Sequence, residues 1–186
     1  METITVEELM VPLDEYPAVS EDATLFDAVM ALEKAQEEFD RMPYQYLHRA
    51  ILVFDKNKRI VGKISQLDVL RSLEPKYGEM GDMRAFSRAG FSPDFIKSML
   101  ERFSLCDRSL SNMCGTAAKS KIKDFMYTPT GGEYVEEETL LCEAIHQLVM
   151  GHHQSLLVTR GGEIVGILRL TDVFKKVFQV MKTCEL

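Results

Sequence analysis

Two periods of hydrophobic spacing recur along this chain, one of about 3.6 residues and one of about 2. Leu25, Ala28, Val29, Leu32 and Phe39 fall near one face of a helical period, which predicts an amphipathic helix. Thr24, with Asp27 three residues on, makes the capping box that would start it. Two runs rich in β-branched residues follow, Ala50–Phe54 and Arg59–Ile64, and the polar Asp55–Lys58 between them reads as a hairpin turn. A second helix opens at Gln66 and carries Leu67, Val69, Leu70 and Leu73.

The pattern occurs twice. Val6–Met10 (VEELM) sets against Ile122–Met126 (IKDFM), and Val19–Ala28 against Val135–Ala144, both at an offset of 116. Leu52–Leu70 (LVFDKNKRIVGKISQLDVL) sets against Leu156–Phe174 (LLVTRGGEIVGILRLTDVF) at an offset of 104, with six of the 19 pairs identical. The first copy therefore carries 12 extra residues, around Glu33–Tyr46. The second copy predicts a helix near Leu140–Met150, a strand Ser155–Thr159, a turn Arg160-Gly161-Gly162, a strand Glu163–Leu168 and a helix Leu170–Lys182. With short strands around Val19 and Val135, each unit is β-α-β-β-α. A unit of about 60 residues is too small to bury an adequate core alone. The expected fold class is therefore α/β (α+β). Two units related by a pseudo-twofold axis share a core, their hairpin sheets side by side under helices. The expected division is 1–73 for the first repeat, 74–120 for a helical and loop connector, and 121–186 for the second repeat.

Charge sharpens this division. The net charge of −7 splits into −7 over residues 1–70, +4 over 71–123 and −4 over 124–186. Two acidic copies flank a basic insertion, and an acidic total argues against general nucleic-acid binding. The longest apolar run, Ala50–Phe54, is far short of the ~20 residues of a membrane span, so no membrane insertion is expected. Met1–Met10 holds three glutamates and the first basic residue is Lys34, which does not fit a secretory signal. Cys106, Cys114, Cys142 and Cys184 show no CxxC spacing and read as reduced thiols, so a cytoplasmic location is expected. His146, His152 and His153 with Cys142 fit no standard metal-ligand spacing, and no metal is expected.

The candidate chemistry lies where the second hairpin strand meets its helix. Glycine inside a strand marks close approach of another group, and Gly62 and Gly166 occupy equivalent places. Ser65 at the strand-to-helix junction would lie beside free N–H groups able to receive an anion. Asp68, one turn on, could accept hydrogen bonds from both hydroxyls of a ribose. Ser-x-x-Asp is equally a capping box, Ser65 as cap and Asp68 at its third position. Asp172 matches Asp68 but has Arg169 where Ser65 stands, so a capping box does not account for it. Arg169 could grip phosphate, fill the cleft or pair with Asp172. His48-Arg49, before the first hairpin strand, matches His152-His153 at the 104 offset. Such groups could touch phosphates with pH-dependent charge, or simply line a solvated strand entrance.

Two ordered copies ending in Gly-φ-φ-(Ser/Thr)-x-x-Asp resemble a tandem pair of cystathionine-β-synthase (CBS) domains, a Bateman module. The resemblance rests on Val19…Thr24-Leu25…Ala28, Ile60-Val61-Gly62…Ser65…Asp68-Val69, Val135…Leu141…Ala144 and Ile164-Val165-Gly166…Asp172-Val173, and covers about residues 1–73 and 121–182. It implies two clefts between the paired units that take AMP, ADP or ATP, with S-adenosylmethionine or NAD as alternatives. It gives the Ser/Thr to phosphate and the Asp to ribose. Ser65 and Asp68 complete that pattern for one cleft, which ranks above the Arg169/Asp172 cleft. It also implies that Tyr16, Ala18 and Val53 line an adenine pocket, although Val53 fits plain core equally well.

In the middle, Ser92-Pro93-Asp94 starts a helix, and Phe95, Ile96, Met99, Leu100 and Phe103 give it an apolar stripe. Arg71–Arg88 has room for another short helix, and Ser109–Ser120 reads as an exposed, mobile loop. The chain shows no hydrolase elbow, Walker loop or convincing carboxylate pair, so no enzymatic activity and no required cofactor are expected. The expectation is a regulatory module that senses an adenine nucleotide, dimerises and signals to a separate effector protein. The alternative is a structural interaction and dimerisation module with degenerate clefts.

Overall fold

The computed structural model describes residues 4–39, 48–80 and 90–183. Among these residues seven strands form two sheets: β1 (Val11–Pro12), β2 (Ala18–Ser20), β3 (Ala50–Phe54), β4 (Ile60–Ser65), β5 (Tyr134–Glu136), β6 (Ser155–Arg160) and β7 (Glu163–Arg169). The helices are α1 (Leu25–Phe39), α2 (Gln66–Ser72), α3 (Pro93–Arg102), α4 (Leu110–Ala117), α5 (Leu141–Gly151) and α6 (Leu170–Thr183). Each repeat is β-α-β-β-α, with a short strand parallel to the first hairpin strand: β2 on β3, β5 on β6. Local signals start the elements as expected. The Asp27 carboxylate accepts from both the amide and the hydroxyl of Thr24 at 2.9 and 2.7 Å, closing the cap of α1. Gly161 and Gly162 take positive φ at the β6–β7 turn, as a tight hairpin requires.

The sheets are not built from one repeat each. Their order is β1-β7-β6-β5 and β2-β3-β4, so β1 of the first repeat pairs with β7 of the second, Val11 opposite Ile167. The second repeat returns the contact, with Tyr127 bridged to Lys63 of β4. Equivalent bridges join Thr5 to Leu140 and Lys121 to Thr24. Val6 is thereby buried in the core of the second repeat with Val135, Ala144, Leu156, Val158 and Leu168. Ile122 is buried in the core of the first with Ala28, Leu32, Ile51, Val53 and Ile64. Gly62 and Gly166 allow this crossing. A Cβ at Gly166 would fall 2.7 Å from the Val11 carbonyl oxygen, and one at Gly62 2.7 Å from Met126 Sδ and 3.1 Å from the Tyr127 oxygen. The close approach expected at these glycines is thus made by the other repeat's leading segment. Between the sheets, Tyr16, Leu52, Leu157 and Ile167 form a third cluster, which joins the repeats.

Two expectations need correction. The β3–β4 turn is one residue longer than the β6–β7 turn: Phe54 pairs with Ile60, but Thr159 with Ile164. The repeats therefore run at an offset of 105 through β3 and β6 and of 104 only after the turn. His48 corresponds to His153, not His152, and Arg49 to Gln154. The backbone agrees, since the Gln66 amide donates to the Arg49 carbonyl as Leu170 does to Gln154. Second, Ser109–Ser120 is not an open loop. Ser109 caps α4 by accepting from the Asn112 amide, and Met113 and Ala117 bury one face of that helix. The Arg71–Arg88 segment holds a short 3-10 helix, Pro75–Met80, after α2 ends at Ser72. Residues 81–88 of that segment lie outside the described residues, as do Tyr46, Cys184 and the side chain of Phe39. In the connector, Ser92 caps α3 by accepting from the Phe95 amide at 3.2 Å, and Phe95, Ile96 and Leu100 stay exposed.

Candidate functional site

Where β7 runs into α6, Arg169 and Asp172 lie one turn apart. Their guanidinium and carboxylate join in a two-point pair, Nε to Oδ2 at 2.5 Å and Nη2 to Oδ1 at 2.7 Å. Of the three roles open to Arg169, it takes the pairing with Asp172. His48 comes to it from the first repeat, its Nδ1 3.2 Å from Arg169 Nη1. The His48 ring meets Tyr16 edge-on at 4.6 Å, and the Tyr16 hydroxyl donates to the Ala50 carbonyl at 3.0 Å. Tyr16, His48 and Arg169 are all buried. Burial, then the Arg169 charge, lowers the His48 pKa to about 4. The ring is therefore uncharged at neutral pH and does not supply the titrating cation expected there. Burial likewise raises Tyr16 to about 12, so its hydroxyl remains a donor. Beside the Arg169–Asp172 pair opens a cleft of about 350 Å³, between Met10–Pro12 and the Lys175, Lys176 and Gln179 face of α6. Both oxygens of Asp172 are held by Arg169 at its edge.

The other cleft shares the backbone and changes the chemistry. Ser65 caps α2, and Asp68 returns the bond: Oδ2 accepts from the Ser65 amide at 2.9 Å and from its hydroxyl at 2.6 Å. The capping box is thus real here, and it engages one carboxylate oxygen. The second oxygen, Oδ1, has Arg71 at 3.8 Å. Across the cleft Gly132 stands at the position equivalent to Tyr16, and only His153 Nε2, at 3.9 Å, lies within 4 Å of where a Cβ would be. Where the first-described cleft carries Tyr16 and Arg169, this one carries a hydrogen atom and a serine.

The structure brings Tyr16 and His48 together with Arg169 and Asp172, and Gly132, His153, Ser65 and Asp68 stand at the four equivalent positions. Ala18 is exposed on β2, its backbone paired to Leu52. Val53 belongs to the first repeat's core under α1. Arg49 is exposed at the strand entrance. One group escaped the sequence reading. Lys63 donates to Glu133 Oε2 at 2.6 Å, and Tyr127 donates its hydroxyl to Oε1 of the same carboxylate. Glu133 is buried. Although burial alone would raise its pKa, the bonds from Lys63 and Tyr127 hold it below the usual value. The signal was present in the repeat: Lys63, Tyr127 and Glu133 stand where the other half has Ile167, Val11 and Pro17.

The family model for the CBS domain matches the chain twice, at residues 6–75 and 122–179. Among solved structures, CBSX2 in complex with AMP is similar with a TM-score of 0.58 at 19% identity, over 95% of this chain and 98% of that one. A CBS domain-containing protein of unknown function from Bacillus anthracis matches with a TM-score of 0.62 at 16% identity, over 95% and 94%. The CBS domain of a membrane protein from Sphaerobacter thermophilus matches with a TM-score of 0.57 at 22% identity, over 93% and 87%. At these identities the likeness is one of fold. The comparison with curated proteins gave no match. Among the described residues, no helix is long and apolar enough to cross a membrane.

Proposed function

This chain belongs to the CBS-domain family, and we propose that it is a non-catalytic sensor that binds one adenine nucleotide per chain in the Ser65/Asp68 cleft. The observation that carries this reading is the contrast between the two aspartates. Asp172 has both oxygens hydrogen-bonded to Arg169, whereas Asp68 uses Oδ2 for the helix cap and meets Arg71 through Oδ1 only at 3.8 Å, which leaves Oδ1 able to accept from a ribose hydroxyl. The 350 Å³ cleft points to the Asp172 side. Volume without a usable carboxylate does not recognise a ribose, so the state of the carboxylate decides the ranking. The structure of CBSX2 with AMP supports the ligand class. Because α2 has only seven residues and Ser65 already occupies its Asp68 amide, phosphate recognition falls to side chains rather than to the helix start.

AMP, ADP and ATP are the ligands of this proposal, with S-adenosylmethionine and NAD as its alternatives. Output passes to a separate effector, through a homodimer in the cytoplasm, by favouring whichever arrangement of the repeats binds nucleotide more tightly. The repeat boundaries 1–73 and 121–186, with 74–120 between, belong to the same proposal. Thermal melting against the five ligands tests it: at a concentration of 100 Kd, binding stabilises by ~2.7 kcal/mol. No shift with any of them would overturn the reading. It would favour the interaction module, for which the self-satisfied Arg169–Asp172 cleft is the supporting feature.

A further inference from the structure

Lys63, Glu133 and Tyr127 form a polar cluster in which Glu133 also accepts from the Thr130 amide, capping the 3-10 turn Gly131–Glu133. The ammonium and carboxylate are 2.6 Å apart, with side chains 14% and 3% exposed. Taking such a pair out of water is costly, so an apolar replacement of similar volume is often neutral or stabilising. The other half of this molecule has that replacement: Ile167, Pro17 and Val11 stand at the three equivalent positions, and Ile167 packs in the inter-sheet cluster. Three coordinated departures from the repeat, centred on the strand that carries Ser65, call for a role beyond the turn cap. Strand alternation supplies the place. Ile64 points into the first repeat's core, so Lys63 and Ser65 share the opposite face of β4. Glu133 follows Gly132, the residue equivalent to Tyr16.

Resting on the nucleotide reading above, we infer that Lys63 is the phosphate-binding cation of the Ser65/Asp68 cleft, and that Glu133 holds it in reserve. A phosphoryl chain entering beside Ser65 competes with the Glu133 carboxylate for the ammonium. Glu133 keeps its bonds from the Tyr127 hydroxyl and the Thr130 amide when Lys63 leaves. The cleft then reads ligand charge: each added phosphate must outcompete an internal carboxylate, and an uncharged nucleoside leaves the pair intact.

Calorimetric titration of adenosine and ATP into wild type, Lys63→Met and Glu133→Gln tests this. Lys63→Met weakens ATP about tenfold, the scale of one charge-assisted hydrogen bond, and leaves adenosine within about twofold. Glu133→Gln, which removes the competitor, strengthens ATP several-fold relative to adenosine. Both substitutions nearly preserve shape. Should Lys63→Met fail to fold, the sign of the Glu133→Gln effect alone decides, since a merely structural pair would not tighten ATP when broken. If both ligands bind all three proteins with one unchanged ratio, this inference falls and the sensor stands. If wild type binds neither adenosine nor ATP, this inference falls, and the sensor reading is decided by the melts against all five ligands.

Discussion

At three equivalent positions the two clefts carry Arg169 and Ser65, Tyr16 and Gly132, and His48 and His153. The backbones repeat, down to the amide bonds of Gln66 and Leu170 that open the helices after β4 and β7. One cleft has its polar groups satisfied from within, an arginine clamped on an aspartate with a neutral imidazole and a phenol behind it. The other keeps a carboxylate oxygen and replaces the phenol with nothing. A pseudo-symmetric fold fixes where side chains meet. Two or three of those side chains then decide whether the meeting place is already occupied.

The largest test of this difference is stability. Arg169→Ala strands the Asp172 carboxylate in a largely buried place and costs about 3–4 kcal/mol, whereas Ser65→Ala removes one cap and costs about 1 kcal/mol. Denaturant melts of the two variants measure both, and equal losses would erase the contrast.

Next comes acid. A histidine with a folded pKa of about 4 binds its proton more readily when unfolded, so its contribution is fully present above about pH 6.5 and is lost as pH falls toward 4. The loss is on the order of 3 kcal/mol. His48→Gln should flatten that part of the stability curve.

The glycines separate the halves more finely. Gly166→Ala drives a methyl against the Val11 carbonyl and costs about 2–3 kcal/mol. Gly62→Ala meets the flexible Met126 side chain first and costs about 1 kcal/mol. Thermal midpoints of the pair establish the order.

The smallest effect in energy is the most direct for function. Asp68→Ala weakens the best-binding nucleotide about tenfold, the worth of one hydrogen bond to a charged group, and Asp172→Ala changes it by less than about twofold. Equal losses by titration would assign the site to the wrong cleft, or to both.

What was legible in the sequence was local. Helix periodicity, the Thr24–Asp27 cap, the Gly161-Gly162 turn and the three-residue spacings of Ser65–Asp68 and Arg169–Asp172 all act within a few residues of chain. The exchange of leading segments was not legible. A two-residue strand such as Val11–Pro12 has no period to read, and its partner Ile167 lies far along the chain. Gly62 and Gly166 announced the contact without naming what makes it. One residue of turn length hid the match of His48 with His153. In α4, Gly115 and the lysines that follow it suggested a loop, but the Ser109 cap and the burial of Met113 and Ala117 prevail over propensity.

Because each sheet is completed by a segment of the other repeat, a half-molecule cut free would leave a bare strand edge. Two identical halves would complete each other as a twofold pair. Joined in one chain, the halves meet at the high effective concentration that a covalent tether provides. Each doubling of a flexible tether adds only about 0.6 kcal/mol to its closure. The exchange therefore leaves the stretch between the halves free to lengthen, and α3 and α4 occupy a place where the fold tolerates added chain.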